Sequence, residues 1–253
     1  MKVVLFLFCF IVCNVHLALS AKEIVVGINT NSYPPYYINN HGHISGFSLD
    51  VAELIASKLG YSLTYRTYPW ARINQYLREG KIDMVLLYLK TEEREKYVHY
   101  SKIPYITESY NFFKKTGNTY QFNGNLNSIV DTPIAVIRGY SYGPAFDQTE
   151  LKQKYIANSE TQLIDMLIKD RVALILGNEA VIQFHMREMA STHHIEALQP
   201  AVAQRHAYFA FSKKSAESEK LNQAFSKVLS QLIHSAEYKK LLLKHRLVEP
   251  NKN

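Results

Sequence analysis

Short apolar runs alternate with amphipathic stretches over the first half of the chain. The runs at 24–28, 63–66 and 82–88 predict strands, and the third is so apolar that it indicates burial on both faces of a sheet. Helices with one apolar face are predicted at 48–59, 71–77 and 91–97.

The same alternation restarts after a polar stretch rich in glycine and asparagine at 116–127. Strands are predicted at 134–137 and 172–176. Helices are predicted after Gly139 and over 160–169, 179–188, 215–233 and 237–245. Alternating strands and helices indicate an α/β fold, and the restart indicates two such units, each with a mainly parallel sheet.

The first residues carry the pattern of a secretory signal. A positive start at Met1-Lys2 is followed by an unbroken apolar run at 3–12 and small residues at 18–21. A membrane anchor is the alternative, but the run is short against the roughly 20 residues that span a bilayer. We therefore expect a signal peptide over 1–20, cleaved after Ser20 or Ala21, and export to the periplasm.

Composition excludes several kinds of chemistry. Both cysteines, Cys9 and Cys13, lie within the signal segment, so the mature chain is expected to lack disulfides and thiol catalysis. The histidines show no HExxH-like spacing, and neither a metal nor another cofactor is expected. The net charge of +7 comes from dispersed lysines and arginines, which indicates a solvated surface and not a nucleic-acid interface.

The candidate binding residues follow the predicted strands. Ligands of α/β sheets bind beyond the carboxyl ends of the strands, so the residues directly after each strand deserve inspection. These residues are Tyr33, Trp70, Arg94, the segment 138–142, Asn178 and Glu179.

Short motifs along the chain occur in the order and spacing of one family. By these motifs the chain resembles the family 3 periplasmic solute-binding proteins, the polar amino-acid-binding components of ABC transporters. The PWAR motif at 69–72 resembles a subgroup whose ligands are often unassigned. The matching motifs are YPPY at 33–36, GFSLD at 46–50, LG at 59–60, GKID at 80–83, TEER at 91–94, YSKIPY at 100–105, VIRGYSY at 136–142 and NE at 178–179.

The resemblance implies an α/β, two-lobed periplasmic binding protein fold of type II, with two mixed, mainly parallel sheets and a ligand cleft between the lobes. Two strands are expected to cross between the lobes, near 109–113 and 207–211. Lobe 1 would then comprise 21–110 plus 210–253, and lobe 2 would comprise 111–209. The expected partners are a small-molecule ligand and an inner-membrane permease or sensor receptor, with the protein itself a monomer.

In the first lobe, the resemblance assigns Arg94 to a ligand carboxylate, which a planar guanidinium can hold with two hydrogen bonds. An ion pair at the surface is the alternative. Tyr33 and Trp70 would sandwich the ligand, although core packing produces the same pattern. Arg72 is expected to contact either the ligand or the opposite lobe.

In the second lobe, Ser141 follows Gly139 at a predicted helix start. There its hydroxyl and the free N–H groups either bind an anion or cap the helix. Arg138 would add a second cation beside it. Tyr142, together with Tyr88 of the first lobe, would suit an aromatic or cyclic portion of the ligand.

Three positions depart from the pattern of amino-acid binders. Leu87 and Leu89 stand where small hydroxyl residues are usual, and Asn178 replaces the aspartate that pairs with a ligand ammonium. Glu179 is adjacent to Asn178, but neighbouring helical side chains point about 100° apart. The ligand is therefore an amino acid bound unusually, an organic acid or another small polar metabolite.

These features predict a binding protein without catalytic residues, serving transport. A sensory protein that docks on a membrane receptor is the first alternative. A periplasmic cyclohexadienyl-dehydratase-like enzyme is the second, with Glu179 as the one obvious general acid.

Overall fold

The computed structural model describes residues 22–40, 42–189 and 195–247. The predicted signal peptide at 1–20 lies outside the described residues. Within them, the helices are α1 (Phe47–Lys58), α2 (Trp70–Glu79), α3 (Glu92–Glu95), α4 (Pro144–Asp147), α5 (Glu160–Ile168), α6 (Glu179–Glu188), α7 (Ser218–Leu232) and α8 (Ala236–Lys244), with a 3₁₀ turn at Leu126–Ile129.

The strands are both long and short. In chain order they are β1 (Lys22–Asn29), β2 (Ile38–Asn40), β3 (His43–Ser45), β4 (Tyr61–Tyr68), β5 (Met84–Leu89), β6 (Val98–Tyr100), β7 (Ile106–Lys115), β8 (Ile134–Ile137), β9 (Lys154–Ala157), β10 (Leu174–Asn178), β11 (Ile195–Ala197) and β12 (Ala203–Ser212).

The predicted α/β alternation is confirmed, and the halves are joined by hydrogen bonds. The described strands pair in the order β4-β1-β5-β12-β7-β10-β8-β9, with β6 on β12 and β11 on β7. Pairing is parallel toward both ends of this order and antiparallel in the middle. The two expected sheets are thus continuous through β12 and β7.

The middle of the sheet contains both predicted crossing segments. Residues 106–110 of β7 pair with residues 203–207 of β12. Beyond this ladder, β12 continues against β5 and β6, whereas β7 continues against β10 and β11. The lobe boundaries at 110/111 and 209/210 stay predictions.

Buried side chains form clusters on each half of the sheet. Around β1, β5 and β12, the apolar faces of α1, α7 and α8 enclose one cluster, and α2 covers a second. Around β8 and β10 lie two further clusters. The ring of Phe209 in β12 stacks on Tyr105 at a centroid distance of 4.2 Å, which adds an aromatic pair to the first core.

Two predicted helices are wrong in extent. The helix expected right after Gly139 begins only at Pro144 and has four residues. The helix expected at 91–97 ends at Glu95, because the chain turns there to add β6 to the edge of β12. The periodicity of such short segments does not separate a helical turn from a loop.

Candidate functional site

The predicted site residues follow the ends of β1, β4, β5, β8 and β10 and form two contact groups. The first group surrounds Arg94 and includes Trp70 and Tyr88. The second surrounds Tyr33 and includes Tyr142 and Asn178.

The guanidinium of Arg94 lies on aromatic rings. Its Cζ is 4.2 Å from the ring centroid of Tyr88 and 5.8 Å from that of Trp70. One nitrogen, Nη1, donates to the carbonyl of Leu89 at 2.8 Å. Among the described residues this is its one side-chain hydrogen bond, so the remaining donors of the fork are free for an anion.

The ion-pair alternative for Arg94 finds no support in the described residues. Its neighbour Glu93 pairs with Arg78, and Glu95 pairs with Lys90 at 2.7 Å. Two of the three acidic side chains of α3 are therefore directed to other cations, and Arg94 is left half-buried against the rings.

Tyr88 packs against Arg94, and its own hydroxyl is bonded within the protein, so the expected contact of Tyr88 with a ligand stays a prediction. Its side chain is fully buried, and its hydroxyl donates to Asn74 Oδ1 at 2.5 Å and lies 2.9 Å from the hydroxyl of Tyr97. A register shift precedes it. Because Val85 and Tyr88 pair with Ala210 and Tyr208, two residues of β5 lie opposite one of β12.

That bulge contains Leu87, one of the unusual residues before Arg94. Leu87 has φ of 53°, a left-handed conformation that is rare for a side chain of this kind. A bulge of this type re-aims the side chains that follow it. Arg94 and Tyr100 both donate to the carbonyl of Leu89, at 2.8 and 2.9 Å.

The second group is a small pocket with aromatic walls. The rings of Tyr33 and Tyr140 meet at 6.5 Å, and the hydroxyl of Tyr140 donates to Glu160 at 3.1 Å. Tyr142 is buried, and its hydroxyl accepts from the N–H of Ile137 at 2.9 Å, so its ring is a wall and its oxygen is occupied. The lining residues are Tyr33, Ile137, Tyr140, Tyr142, Glu160, Leu163, Gly177, Asn178 and Val181.

Ser141 lies in a loop, which corrects its predicted place at a helix start. Its hydroxyl donates to Asp147 Oδ2 at 2.5 Å, and the N–H of Tyr142 donates to Asp147 Oδ1 at 2.9 Å. The hydroxyl and N–H donors that were expected to bind an external anion thus bind the carboxylate of Asp147 instead. Arg205, which the sequence analysis missed, donates from Nη1 to the carbonyl of Ser141 at 3.0 Å.

The two further arginines are exposed. Arg138 donates from Nε to Asn158 at 2.9 Å, an interaction within its own half of the chain. Arg72 lies on α2 and takes part in no ion pair among the residues that the structure describes, so its expected bridge between lobes is not formed there.

Asn178 is the N-cap of α6 and holds a buried acid. Its Oδ1 accepts from the N–H of Val181 at 3.2 Å, and its Nδ2 donates to Glu108 Oε1 at 2.8 Å. Glu108 is 2 % exposed and also accepts from the hydroxyl of Tyr110 at 3.4 Å. Although Asn178 stands where amino-acid binders usually have an aspartate, it is hydrogen-bonded to the carboxylate of Glu108.

Burial raises the pKa of Glu108 to about 7, while hydrogen bonds from Tyr33, Tyr110 and Asn178 and the charge of Arg205 pull it down in part. The sequence analysis did not select Glu108. The signal was present, because Glu108 shares the inward face of β7 with Ile106, Tyr110 and Phe112 by the period of a strand.

Glu179 is the first residue of α6 and is partly buried. Desolvation raises its pKa, and its Oε1 accepts from Gln183 at 3.1 Å. Within the part of the chain that the structure describes, no group of three His, Cys, Asp or Glu side chains could hold a metal ion. No described helix is long and apolar enough to cross a membrane.

The model for bacterial extracellular solute-binding proteins, family 3, matches residues 24–247. The chain belongs to this family. The arginine-binding periplasmic protein of Mannheimia haemolytica is 28% identical over 177 residues, which cover 68% of each chain. The probable amino-acid-binding protein YxeM of Bacillus subtilis is 26% identical over 229 residues, covering 87% of this chain and 82% of that protein.

Solved structures confirm the two-lobed α/β fold of this family 3 member. A mutant of ArgBP from T. maritima has a TM-score of 0.69 at 21% identity, covering 89% of this chain and 96% of that chain. A histidine kinase sensor domain similar to periplasmic binding proteins has 0.70 at 18%, covering 88% and 95%. The ancestral amino acid-binding protein AncCDT-1, a precursor of cyclohexadienyl dehydratase, has 0.68 at 22%, covering 88% and 94%.

Proposed function

We propose that this family 3 protein is exported by a signal peptide over 1–20 and captures a small carboxylate-bearing solute in the periplasm for an ABC transporter. Its lobes, 21–110 plus 210–253 and 111–209, close on the solute by bending at β7 and β12. The observation that carries the proposal is the guanidinium of Arg94, whose Cζ lies 4.2 Å from the ring centroid of Tyr88, with one bond to Leu89 and no acidic partner among the described residues.

This arrangement suits a carboxylate. The ring of Tyr88 and the bond to Leu89 fix the plane of the guanidinium, so little conformational entropy is lost when an anion binds. Two parallel N–H···O bonds would then hold the solute by its acid end. Trp70 and Tyr33 supply apolar walls for the remainder.

The solute is proposed to be an amino acid or a related metabolite, bound as a monomeric complex without a cofactor. Relatives named for arginine and amino-acid binding make basic amino acids the first compounds to test. The membership of the PWAR motif at 69–72 in a particular subgroup stays part of this proposal, as do the ligand contacts of Arg72, Arg138 and Ser141.

A thermal-shift screen of the mature protein tests the proposal. The panel contains basic, acidic and neutral amino acids, organic acids and amines that lack a carboxylate. A solute at 100 times its Kd should stabilise the folded state by about 2.7 kcal/mol. Arg94→Ala should abolish the shift for each carboxylate that binds.

Arg78→Ala is the matched control, because Arg78 also lies over a tyrosine ring, that of Tyr97 at 4.5 Å, but is exposed and paired with Glu93. It should keep the shift. A solute that stabilises wild type and Arg94→Ala equally, or hits confined to amines without a carboxylate, would contradict the assignment of Arg94.

Two other functions use the same fold. A sensory role predicts that the liganded protein activates a membrane kinase and leaves the ATPase of a reconstituted permease unchanged. An enzyme predicts that a bound compound is converted during incubation, with conversion lost in Glu179→Gln. Desolvation raises the pKa of Glu179, as a general acid would require. Because Glu179 is the one residue proposed for that chemistry, we propose binding without catalysis.

A further inference from the structure

Glu108 lies where the two halves of the sheet join. It is on β7, directly opposite Arg205 of β12, within the ladder that links β5 to β10 through the two crossing strands. Its carboxylate is buried, although an ionised carboxylate is costly to remove from water. The titratable groups near it come from every surrounding element: Tyr33, Tyr36 and Tyr37 after β1, Tyr105 before β7, Tyr110 on β7 and Arg205 on β12.

Glu108 accepts directly from Asn178 and Tyr110, and Tyr33 is linked to it through the hydroxyl of Tyr110. Asn178, at the end of β10, donates Nδ2 to Oε1 at 2.8 Å. Tyr110 donates its hydroxyl to Oε2 at 3.4 Å, and the hydroxyl of Tyr33 is 3.4 Å from that of Tyr110. Tyr33 belongs to the loop after β1, which packs on the core around α1, so the acid connects this loop to the start of α6.

An ordinary buried ion pair does not describe this acid. The guanidinium of Arg205 donates to the carbonyl and hydroxyl of Ser141, at 3.0 and 3.4 Å, and forms no ion pair with Glu108 among the described residues. Neutral donors therefore hold the carboxylate. Two of the side chains in this network, Tyr33 and Asn178, also line the small aromatic pocket.

We propose that Glu108 is a positioning residue, which ties Tyr33 of one half and Asn178 of the other into a single cleft wall whose geometry depends on the charge of Glu108. An ionised carboxylate accepts from both sides, whereas the protonated acid has one oxygen that becomes a donor and must release or reverse one of these bonds. The effect on ligand affinity rests on the proposed function, but the link between Tyr33 and Asn178 through Glu108 does not.

Because Glu108 titrates near pH 7, the geometry of the cleft wall should change near neutral pH. Burial raises the pKa of Glu108 to about 7, so the two charge states are both populated there. A solute that contacts Tyr33 or Asn178 would meet a different wall in each state. Amino-acid binders of this kind usually have an aspartate at position 178, and here Asn178 is bonded instead to the carboxylate of Glu108 behind it.

Side-chain NMR of the ligand-free mature protein tests the tie. The Nδ2 resonance of Asn178 is identified by its loss in Asn178→Asp. In wild type it should titrate between pH 5.5 and 8.5 with a midpoint near 7, and in Glu108→Gln it should stay constant over the same range. Glu53→Gln is the matched control, because Glu53 accepts from a tyrosine, Tyr65, at 2.8 Å and is exposed. This variant should titrate as wild type does.

Hydrogen exchange provides a second measurement. In Glu108→Leu, amide exchange at Tyr33, Tyr36 and Tyr37 and at 178–182 should both accelerate, by roughly tenfold for the loss of about one hydrogen bond on each side. The cores around Phe225 and Leu174 should exchange as in wild type. If Glu108→Leu fails to fold, the NMR titration decides alone. A resonance of Asn178 that does not titrate, or that titrates equally in Glu108→Gln, would overturn the proposal, as would faster exchange in only one segment or throughout the protein.

Discussion

Asn178 Nδ2 donates to Glu108 Oε1 at 2.8 Å, a bond between residues that lie 70 positions apart. By sequence alone, Asn178 marks a missing charge in the cleft of an amino-acid binder. In the fold it is bonded to a buried carboxylate on β7. The carboxylate that is absent at position 178 is therefore replaced by that of Glu108, which lies behind Asn178 and is bonded to it.

Glu108 should make the stability of the protein depend on pH. Its pKa is 4.5 as the ordinary value and about 7 in the folded protein, so the folded state holds more protons between these values. Stability from this group is complete below pH 4.5 and is lost as pH rises through 7. At about 1.4 kcal/mol per pKa unit, the loss is about 3 kcal/mol.

Denaturant unfolding of wild type and Glu108→Gln at pH 5, 6, 7 and 8 measures this effect. The variant should show a flatter profile, by about 2.5 kcal/mol between pH 5 and pH 8. Other titrating groups affect both proteins equally. Equal slopes in the two profiles would show that Glu108 is ionised at an ordinary pKa.

Arg94→Lys should weaken carboxylate binding nearly as much as Arg94→Ala. Lysine keeps the positive charge but loses the planar fork that lies on Tyr88, and one bidentate hydrogen-bond pair with a charged group is worth about 2–3 kcal/mol. Isothermal calorimetry with a carboxylate found in the screen gives the change in Kd. A lysine variant that binds as wild type does would mean that charge suffices and that the stacking geometry is not used.

Asp147→Ala should loosen the loop at 139–142. The change removes the acceptor of two hydrogen bonds, from the hydroxyl of Ser141 and the N–H of Tyr142, and should cost about 1–3 kcal/mol. Thermal unfolding measures the cost. If the freed donors form the anion site that the sequence suggested, sulfate should then stabilise Asp147→Ala more than it stabilises wild type. An equal effect of sulfate on both proteins would count against an anion site in this loop.

Phe209→Ala should be among the most damaging single changes. The ring is fully buried in the crossing strand β12 and stacks on Tyr105 at 4.2 Å, so its removal leaves a cavity at the junction of sheet and helices. The expected loss is about 3–5 kcal/mol of unfolding free energy. Tyr155→Ala is the control, because Tyr155 is 41% exposed on the edge strand β9, and it should change stability by less than about 0.5 kcal/mol. A small loss for Phe209→Ala would show that the core around it can collapse.

Local periodicity was sufficient for most of the fold. The strand at 134–137 and the helix at 179–188 were predicted with the bounds that the structure has, the strand from its short all-apolar run and the helix from its apolar face. The short strands β2, β6 and β11 were missed. They have three residues each, too few to show a period, and for β6 and β11 the pairing with a distant strand defines the element more than its own sequence does.

For the candidate site too, some features were predictable from the sequence and others were not. The motif at 91–94 and the residues after each strand led to Arg94, Trp70 and Tyr33, since the topology of an α/β sheet fixes which end binds ligands. The hydrogen-bond partners of the Tyr88 hydroxyl, Asn74 and Tyr97, were not predictable, because they lie on other elements of the fold. Nor was the capture of Ser141 by Asp147, which depends on how a loop of a few residues turns back.

The sequence by itself therefore determined the family, the order of the elements and the cation at position 94, all of which are set by local pattern and motif spacing. The tertiary structure decided which of the selected side chains remain free for a ligand. It placed Glu108 behind Asn178 and Arg205 on the loop of Ser141. Such contacts join residues far apart in the chain, and their formation depends on the pairing of β7 with β10 and with β12, which no single segment encodes.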